Sequence, residues 1–284
     1  MRTVVVTGGT KGIGAAIAAA FHRARAPEPV TDASGEILRF SPRESARFGL
    51  RVFRAAVDAI DAERLAGEIE RDRVDVAILR LPASAIGGAD TLAARGFAPI
   101  VADTQVVYGT ELDAYPHPPA DPSIALRPAT RDHATLLERL AREIFADYES
   151  HYTANPLFAR DKILEGYAEW AARHVNADDG SAAWLVEREG ELAGFSCYRI
   201  DTDGTAVGVL NGVLPTARGL GVYRGMLHGM LEKFAAMRAR RFEISTQTHN
   251  TIVQRVWAES ALSFLAKYNT LHLNALRAKA VGKA

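Results

Sequence analysis

The chain has 284 residues, and 48% of them are hydrophobic, which is enough for one large domain or two modest ones with a substantial core. Lysine plus arginine equals aspartate plus glutamate at 34 each, so no net charge draws the protein to nucleic acid or to an anionic membrane, and we expect neither as a partner. No apolar run reaches the roughly 18 residues needed to cross a bilayer, and the N-terminus lacks an export signal, which favours a cytoplasmic protein.

The first 26 residues predict a strand, a glycine-rich turn and a helix. Val4 to Val6 is apolar, TGGTKGIG follows from Thr7 to Gly14, and an alanine-rich stretch comes next. This segment resembles the start of short-chain dehydrogenases, in which such glycines wrap the pyrophosphate of a dinucleotide. Pro27 and Pro29 then interrupt the pattern, and no tyrosine is followed four residues later by the lysine that this family uses. Two interpretations stay open for residues 1–35: a strand and helix without a cofactor, or a surviving NAD(P) site.

Residues 36–115 predict a small α/β unit. Apolar runs predict strands at Val52 to Val57, Val74 to Leu81 and Phe97 to Tyr108. Amphipathic spacing predicts helices at Ala62 to Arg71 and Ala89 to Arg95. None of these segments assembles a nucleophile, a metal cluster or a phosphate loop, so we expect a supporting half-domain. Four prolines then crowd a stretch poor in large apolar residues, which makes residues 116–123 the predicted linker.

The chemistry is expected in residues 124–284, which predict strands and helices separated by turn signals. The predicted strands are 124–127, 183–187, 192–200, 206–213, 242–248 and 269–274, and the predicted helices are about 131–147, 160–175, 222–237 and 251–264. The single cysteine of the chain, Cys197, lies in one of these strands. It excludes an internal disulfide and a thiolate zinc site, and we expect it to be buried and not catalytic, with no metal bound.

The most informative segment is a glycine-bearing turn between a strand and a helix. Gly219 and Gly221 let the chain bend sharply, so that several backbone amides can approach an anion. The following helix points its positive end at the same place, and Arg218 adds a formal charge. The order strand, turn, helix, strand predicts a pyrophosphate site.

This order of elements, with RGLGVY in the turn and the later run STQTHNTIVQRVWAESALSF from Ser245 to Phe264, resembles the GNAT superfamily of acyl-CoA-dependent N-acyltransferases. Within it, the sugar-nucleotide branch, typified by the TDP-fucosamine acetyltransferases, is most similar. The resemblance covers residues 124–274 and, more loosely, 36–112, which are similar to the partial GNAT-like half that precedes the catalytic domain in that branch. It implies an α/β fold with a mixed central sheet flanked by helices. Arg218 and Gly221 match the family's glycine motif, whereas Tyr223 stands where the family has Gly or Ala.

The resemblance also implies how acetyl-CoA, or another acyl-CoA, would bind. Backbone amides of the turn would hold the pyrophosphate, and the strand ending near Val213 would pair with the pantetheine arm. The strands 206–213 and 242–248 would be parallel neighbours that splay apart, with Asn250 contacting the arm. An alternative for Asn250 is the N-cap of the next helix. The expected cofactor-binding residues are Val213, Arg218, Gly219, Leu220, Gly221, Val222, Tyr223 and Asn250.

Acyl transfer to an amine needs an unprotonated amine, donors for the developing oxyanion and a proton for the departing thiolate. In the GNAT family a tyrosine seven residues after the asparagine often supplies that proton, and here the position holds Trp257, whose indole is no acid near neutral pH. Tyr268 and Tyr223 are the candidate replacements. His249 and His272 are the candidate bases, because imidazole titrates near neutral pH; the alternative is a structural, hydrogen-bonded role for each.

The irregular stretch 145–158 and the helix after it carry aromatic and polar groups where this fold shapes the acceptor pocket. The candidate substrate-binding residues are Tyr148, His151, Tyr152, Tyr167 and Trp170, with an aromatic core cluster as the alternative. The predicted function is transfer of an acetyl or short acyl group to an amine of a small metabolite, with a nucleotide-linked amino sugar as the first candidate. The alternatives are an NAD(P)-binding dehydrogenase-like protein and a non-catalytic acyl-CoA-binding protein. The sequence leaves a homodimer open.

Overall fold

The computed structural model describes residues 36–97, 99–176 and 179–275. The predicted strand, TGGTKGIG turn and helix of residues 1–35 lie outside the described residues, so the two interpretations of that segment stay predictions. Within the described ranges, none of the helices combines the length and apolarity that crossing a bilayer requires.

Ten strands and seven α-helices form the described part of the chain. The strands are β1 (Arg39–Phe40), β2 (Val52–Ala56), β3 (Val76–Pro82), β4 (Pro99–Glu111), β5 (Ile124–Pro128), β6 (Ser181–Arg188), β7 (Glu191–Ile200), β8 (Thr205–Val213), β9 (Arg241–Gln247) and β10 (Ser263–Asn274). The helices are α1 (Pro42–Phe48), α2 (Ala62–Arg71), α3 (Ala89–Ala94), α4 (Ala134–Ile144), α5 (Arg160–Arg173), α6 (Val222–Ala236) and α7 (Thr251–Glu259).

All ten strands belong to one mixed sheet, in the order β1-β2-β3-β10-β4-β9-β8-β7-β6-β5. The pairs β2/β3 and β8/β9 are parallel, and the other neighbouring pairs are antiparallel. The last strand, β10, lies between β3 and β4, so residues before and after the predicted linker build the same sheet. The α/β fold class predicted from the sequence, a mixed central sheet flanked by helices, is confirmed.

Two local predictions need correction. The helix expected to run to about Phe264 ends at Glu259, because Ala261 takes a left-handed conformation with φ of 59° and β10 begins at Ser263. The short helix α1 was not predicted; its seven residues are too few for a periodic pattern, although Pro42 stands at its first turn, where proline is favoured.

Helices cover both faces of the sheet. On one face, α6 packs with Phe234 against Trp184 and Phe242, and Trp257 of α7 joins the same cluster. On the other face, α4 and α5 cover Phe195, Cys197 and Leu210. Cys197 is fully buried, as predicted, and burial raises the pKa of its thiol. The second face carries the polar features described below.

A polar network lies buried beneath this second face. His272 of β10 is 0% exposed, and its Nε2 lies 2.9 Å from His151 Nδ1. The Asn155 amide donates to His272 Nδ1 over 3.2 Å and to Asn274 Oδ1 over 2.8 Å. Since Nδ1 of His272 accepts, its Nε2 carries the proton and donates to His151. The network joins the segment before α5 to the last strand, and both histidines are neutral.

This network predicts acid sensitivity. Burial and the nearby Arg54 lower the pKa of His272 to about 3 in the folded protein. In the unfolded chain the histidine has its ordinary pKa of about 6.5, so between these two values only the unfolded chain is protonated at this position. The stability that this histidine contributes is therefore complete above about pH 6.5 and declines toward pH 3. When the pH falls from 7 to 5, the free energy of unfolding should decrease in both proteins, and we expect the decrease to be about 2 kcal/mol smaller for His272→Asn than for the wild type. Urea titration at each pH measures this difference. The exposed His249→Asn should behave like the wild type; equal pH slopes for all three proteins would contradict the assignment.

Candidate active site

The strands β8 and β9 separate along their length. They pair in parallel only from Thr205 opposite Arg241 to Gly208 opposite Ile244. Beyond this point residues 209–213 of β8 and 245–247 of β9 continue without pairing to each other. A register shift in the β7–β8 ladder, where Leu210 and Gly208 face consecutive residues of β7, bends β8 at Val209. The predicted splay is confirmed, and it opens a slot between the C-terminal ends of the two strands.

The glycine turn lies at the end of β8. Gly219 and Gly221 have φ of 77° and 78°, a left-handed conformation that favours glycine, and Gly221 is the N-cap of the 15-residue helix α6. The amides of Arg218 and Gly225 donate to backbone oxygens, but within the described residues the amides of 219–224 make no backbone hydrogen bond of good geometry. Donors at a helix start with no partner are suited to bind an anion.

The other predicted cofactor residues surround this turn. Val213 is the last residue of β8, and Val222 is the first of α6 and is buried. Leu220 is half exposed at the tip of the turn. Arg218 directs its guanidinium to the Ile144 carbonyl oxygen at the end of α4, over 3.2 Å, so its side chain fastens the turn to that helix.

Asn250 follows β9 across the slot. It holds the N-cap position of α7, but its side chain makes no capping hydrogen bond. Instead the amide donates to Thr246 Oγ1 over 3.1 Å. The side chain is therefore held against β9, and the predicted alternative of a side-chain N-cap is not what the structure shows.

Trp257 and Tyr223 are hydrogen-bonded to each other. The indole Nε1 of Trp257 donates to the Tyr223 hydroxyl over 3.2 Å, which joins α7 to the start of α6. Burial raises the pKa of Tyr223, and the neighbouring Tyr148 adds to the shift. The Tyr223 hydroxyl oxygen accepts from Trp257, so its own proton is free to be donated. A tyrosine hydroxyl thus lies beside the residue that replaces the family's proton donor.

On the opposite side of the sheet, Tyr148 donates to Gln247 Oε1 at the end of β9. Burial raises the pKa of this tyrosine as well, and the Asp103 carboxylate contributes to the shift. Both oxygens of Asp103 are buried and lack a hydrogen-bond partner. The residue faces the same side as Gln105 in β4, and nothing in the sequence pattern singled it out.

The structure separates the predicted catalytic residues. His249 is exposed after β9, close enough to Glu149 for their charges to interact. His272 is enclosed in the buried network with both ring nitrogens bonded, so in this structure it cannot contact an acceptor amine. Tyr268 is 5% exposed in β10, opposite Gln105, and β4 stands between it and the slot. These positions leave His249 and Tyr223 as the remaining candidates.

A cavity of about 790 Å³ lies between the sheet, α1 and α5. We call it the arginine cavity; its lining residues are Arg39, Phe40, Ser41, Pro42, Arg43, Glu44, Arg47, Phe48, Arg54, Arg80, Gln105, His151, Tyr152, Ile163, Gly166, Tyr167, Glu169, Trp170, Arg173 and Gln247. Four of the five predicted substrate residues, His151, Tyr152, Tyr167 and Trp170, line it. The fifth, Tyr148, bonds to Gln247, which lines it too.

Charged groups that the sequence analysis missed dominate this cavity. Arg54 binds Glu44 at 2.5 Å and donates to the Tyr152 hydroxyl at 2.6 Å. Burial opposes ionisation of Glu44, but Arg54 outweighs it and lowers the pKa of Glu44 to about 2. Burial raises the pKa of Tyr152 to about 12. The signal available in the sequence was the arginine density between residues 39 and 54, which carries no pattern until α1 and β2 are placed.

Known proteins share this fold. A conserved protein of unknown function from Staphylococcus epidermidis ATCC 12228 is 10% identical, with a TM-score of 0.61 over 89% of this chain and 97% of its own. A GCN5-related N-acetyltransferase from Sphaerobacter thermophilus is 16% identical (TM-score 0.52; 74% and 65% covered), and one from Kribbella flavida is 11% identical (TM-score 0.51; 78% and 81% covered). At these identities the likeness shows the fold alone.

Sequence comparison supplies the family. No curated protein matches the chain. Residues 137–264, however, match the model of the acetyltransferase (GNAT) family, a range that holds the splayed strands, the glycine turn and Trp257. The chain therefore contains a GNAT acetyltransferase domain.

Proposed function

We propose that the protein transfers an acetyl or short acyl group from coenzyme A to an amine of a small metabolite. The observation that carries the proposal is the set of amides at residues 219–224 that make no well-aligned backbone hydrogen bond in the described structure, placed at the end of a splayed strand pair. Backbone donors and a helix start together favour a diphosphate. Residues 209–213 would hydrogen-bond the pantetheine arm from one wall of the slot, and the Asn250 amide would contact it from the other.

Acyl-CoA supplies an activated acyl group on a thiolate leaving group. The chain's residues position the reactants and move protons. His249 accepts a proton from the acceptor ammonium, and free amides of β8 at the bend near Val209 donate to the developing oxyanion. Tyr223 donates its hydroxyl proton to the departing sulfur, and the indole of Trp257 holds that hydroxyl in place. Since a thiolate leaves readily, most of the rate comes from positioning.

We propose a nucleotide-linked amino sugar as the acceptor. Two features support this: a 790 Å³ cavity is in the size range for such a ligand, and arginines line it. The aromatic side chains of Tyr167 and Trp170 offer surfaces on which a ring can stack. Gln105 and Gln247, at the end of the cavity near the slot, offer amides for hydroxyl groups.

Calorimetric titration with acetyl-CoA and, separately, with NADPH at equal concentrations tests the proposal. We expect micromolar binding of acetyl-CoA and none of NADPH. The reverse result would favour the dehydrogenase-like alternative, which rests on the TGGTKGIG segment. Release of free thiol with a panel of amines then separates an enzyme from an acyl-CoA-binding protein, the alternative suggested by Trp257 at the family's tyrosine position.

A further inference from the structure

The lining of the arginine cavity is strongly cationic. It contains six arginines and two glutamates. Both glutamates are already engaged, Glu44 with Arg54 at 2.5 Å and Glu169 with Arg47 at 2.6 Å. The remaining four guanidinium groups, Arg39, Arg43, Arg80 and Arg173, have no carboxylate within ion-pair distance among the described residues.

These arginines also face one another. Arg39 of β1 lies directly opposite Arg54 of β2, a like-charged cross-strand pair that is unfavourable by itself. The Nε of Arg39 is buried and has no hydrogen-bond partner. At the outer, solvent-exposed end, partial desolvation and the nearby charge of Arg43 lower the pKa of Arg173, and the Asp179 and Glu169 carboxylates only partly oppose this shift. Such a set of like charges is expected where an anion completes the site.

Arg80 connects these charges with the reaction centre. It donates to Thr270 Oγ1 over 3.3 Å; burial and the charge of Arg54 lower its pKa, and the nearby Asp103 carboxylate opposes this shift without forming an ion pair. Along the sheet, Arg80 of β3 is three strands from Gln247 of β9, and Arg39 of β1 is five strands away. At about 4.8 Å per strand, the strands that carry Arg80 and Arg39 lie roughly 14 and 24 Å from β9. An anion at this distance belongs to an extended acceptor, not to a simple amino acid.

We propose that the arginine cavity binds an anionic group of the acceptor, a phosphate or a carboxylate, on the side of the cavity away from the slot. This inference rests on the proposed function, because the acceptor amine must reach the thioester at the end of β9. Guanidinium groups suit both anions, since their parallel N–H donors match two oxygens at once. The arginines would then select an elongated anionic amine and reject neutral amines of the same length.

The test uses the full-length protein saturated with coenzyme A, which blocks the glycine turn. Inorganic pyrophosphate and citrate are titrated in parallel and followed by tryptophan fluorescence, since Trp170 lines the cavity. We expect both to bind, and the Arg39→Gln/Arg80→Gln variant to bind at least about tenfold more weakly. Tighter pyrophosphate indicates a phosphate-bearing acceptor, and tighter citrate a carboxylate-bearing one.

Two further variants keep the test decisive. Arg43→Gln/Arg173→Gln changes exposed residues, so it should fold and still lose affinity. Arg142→Gln, on the surface of α4 and outside the cavity, should bind like the wild type. No anion binding, or equal binding by all variants, would overturn the proposal. The titration with coenzyme A is a separate readout. If coenzyme A does not bind but the arginine variants still bind the anions more weakly than the wild type, the proposed function is wrong and the anion site is supported.

Discussion

Replacing Gly221 with valine is expected to weaken acetyl-CoA binding by at least about 100-fold. Gly221 has φ of 78°, a conformation that a β-branched residue adopts only with strain, so the turn must change its path. The amides of 219–224 then no longer point at one position. Losing one or two charge-assisted hydrogen bonds, at about 1.5 to 3 kcal/mol each, accounts for that factor. Calorimetric titration with acetyl-CoA measures it.

The control is Gly190→Val, in the turn between β6 and β7. Gly190 has φ of 86°, and, as at Gly221, no other group lies within 4 Å of an added Cβ. The two variants therefore carry similar backbone strain, but only one changes the proposed diphosphate site. We expect similar losses in melting temperature and unchanged acetyl-CoA affinity for Gly190→Val. If the two variants bound acetyl-CoA with equal affinity, the glycine turn would not be part of the binding site.

Replacing Tyr223 with phenylalanine is expected to lower kcat by about 100-fold, near the lower end of the range for a lost general acid, because a thiolate leaves readily. The affinity for acetyl-CoA should stay the same, since the ring is kept. Burial raises the pKa of Tyr223 above its ordinary value of 10, so the wild-type hydroxyl keeps its proton as the pH rises through 10. Initial rates of thiol release between pH 7 and pH 10 measure both the loss of kcat in the variant and the protonation of the hydroxyl in the wild type.

Tyr108→Phe is the matched control for this variant. Tyr108 packs against the ring of the same Trp257, with the ring centroids 5.4 Å apart, but it makes no hydrogen bond to the indole among the described contacts. We expect wild-type kcat for Tyr108→Phe. If Tyr223→Phe retained full kcat as well, the proton would come from water, and the Trp257–Tyr223 pair would be structural.

The cofactor side of the fold could be predicted from local sequence. Gly219 and Gly221 between an apolar strand and an amphipathic helix encode the turn within a few residues, and both glycines have the positive φ that this reading requires. The parallel, splayed arrangement of β8 and β9 came from the family resemblance and is confirmed. Residue type named Tyr223 and Tyr268 as candidate proton donors but could not distinguish them, because the contact of Tyr223 with Trp257 spans 34 positions in the chain.

The acceptor side depends on contacts that are distant in sequence. Arg54 and Arg80 lie on the same face as Gln247 only because β10 inserts between β3 and β4 and unites the two halves. The same insertion buries His272, which residue type alone made a candidate base. Whether a histidine in a strand can act in catalysis depends on the residues that cover it. Here His151 and Asn155, more than 110 positions away in the chain, hydrogen-bond to both ring nitrogens of His272 and make it structural.

A crystal structure of the protein with coenzyme A tests the central claim most directly. We expect the diphosphate within hydrogen-bond distance of the backbone amides of 219–224, and the pantetheine arm in the slot between β8 and β9. Coenzyme A bound at another surface, with the glycine turn and the slot empty, would contradict the account.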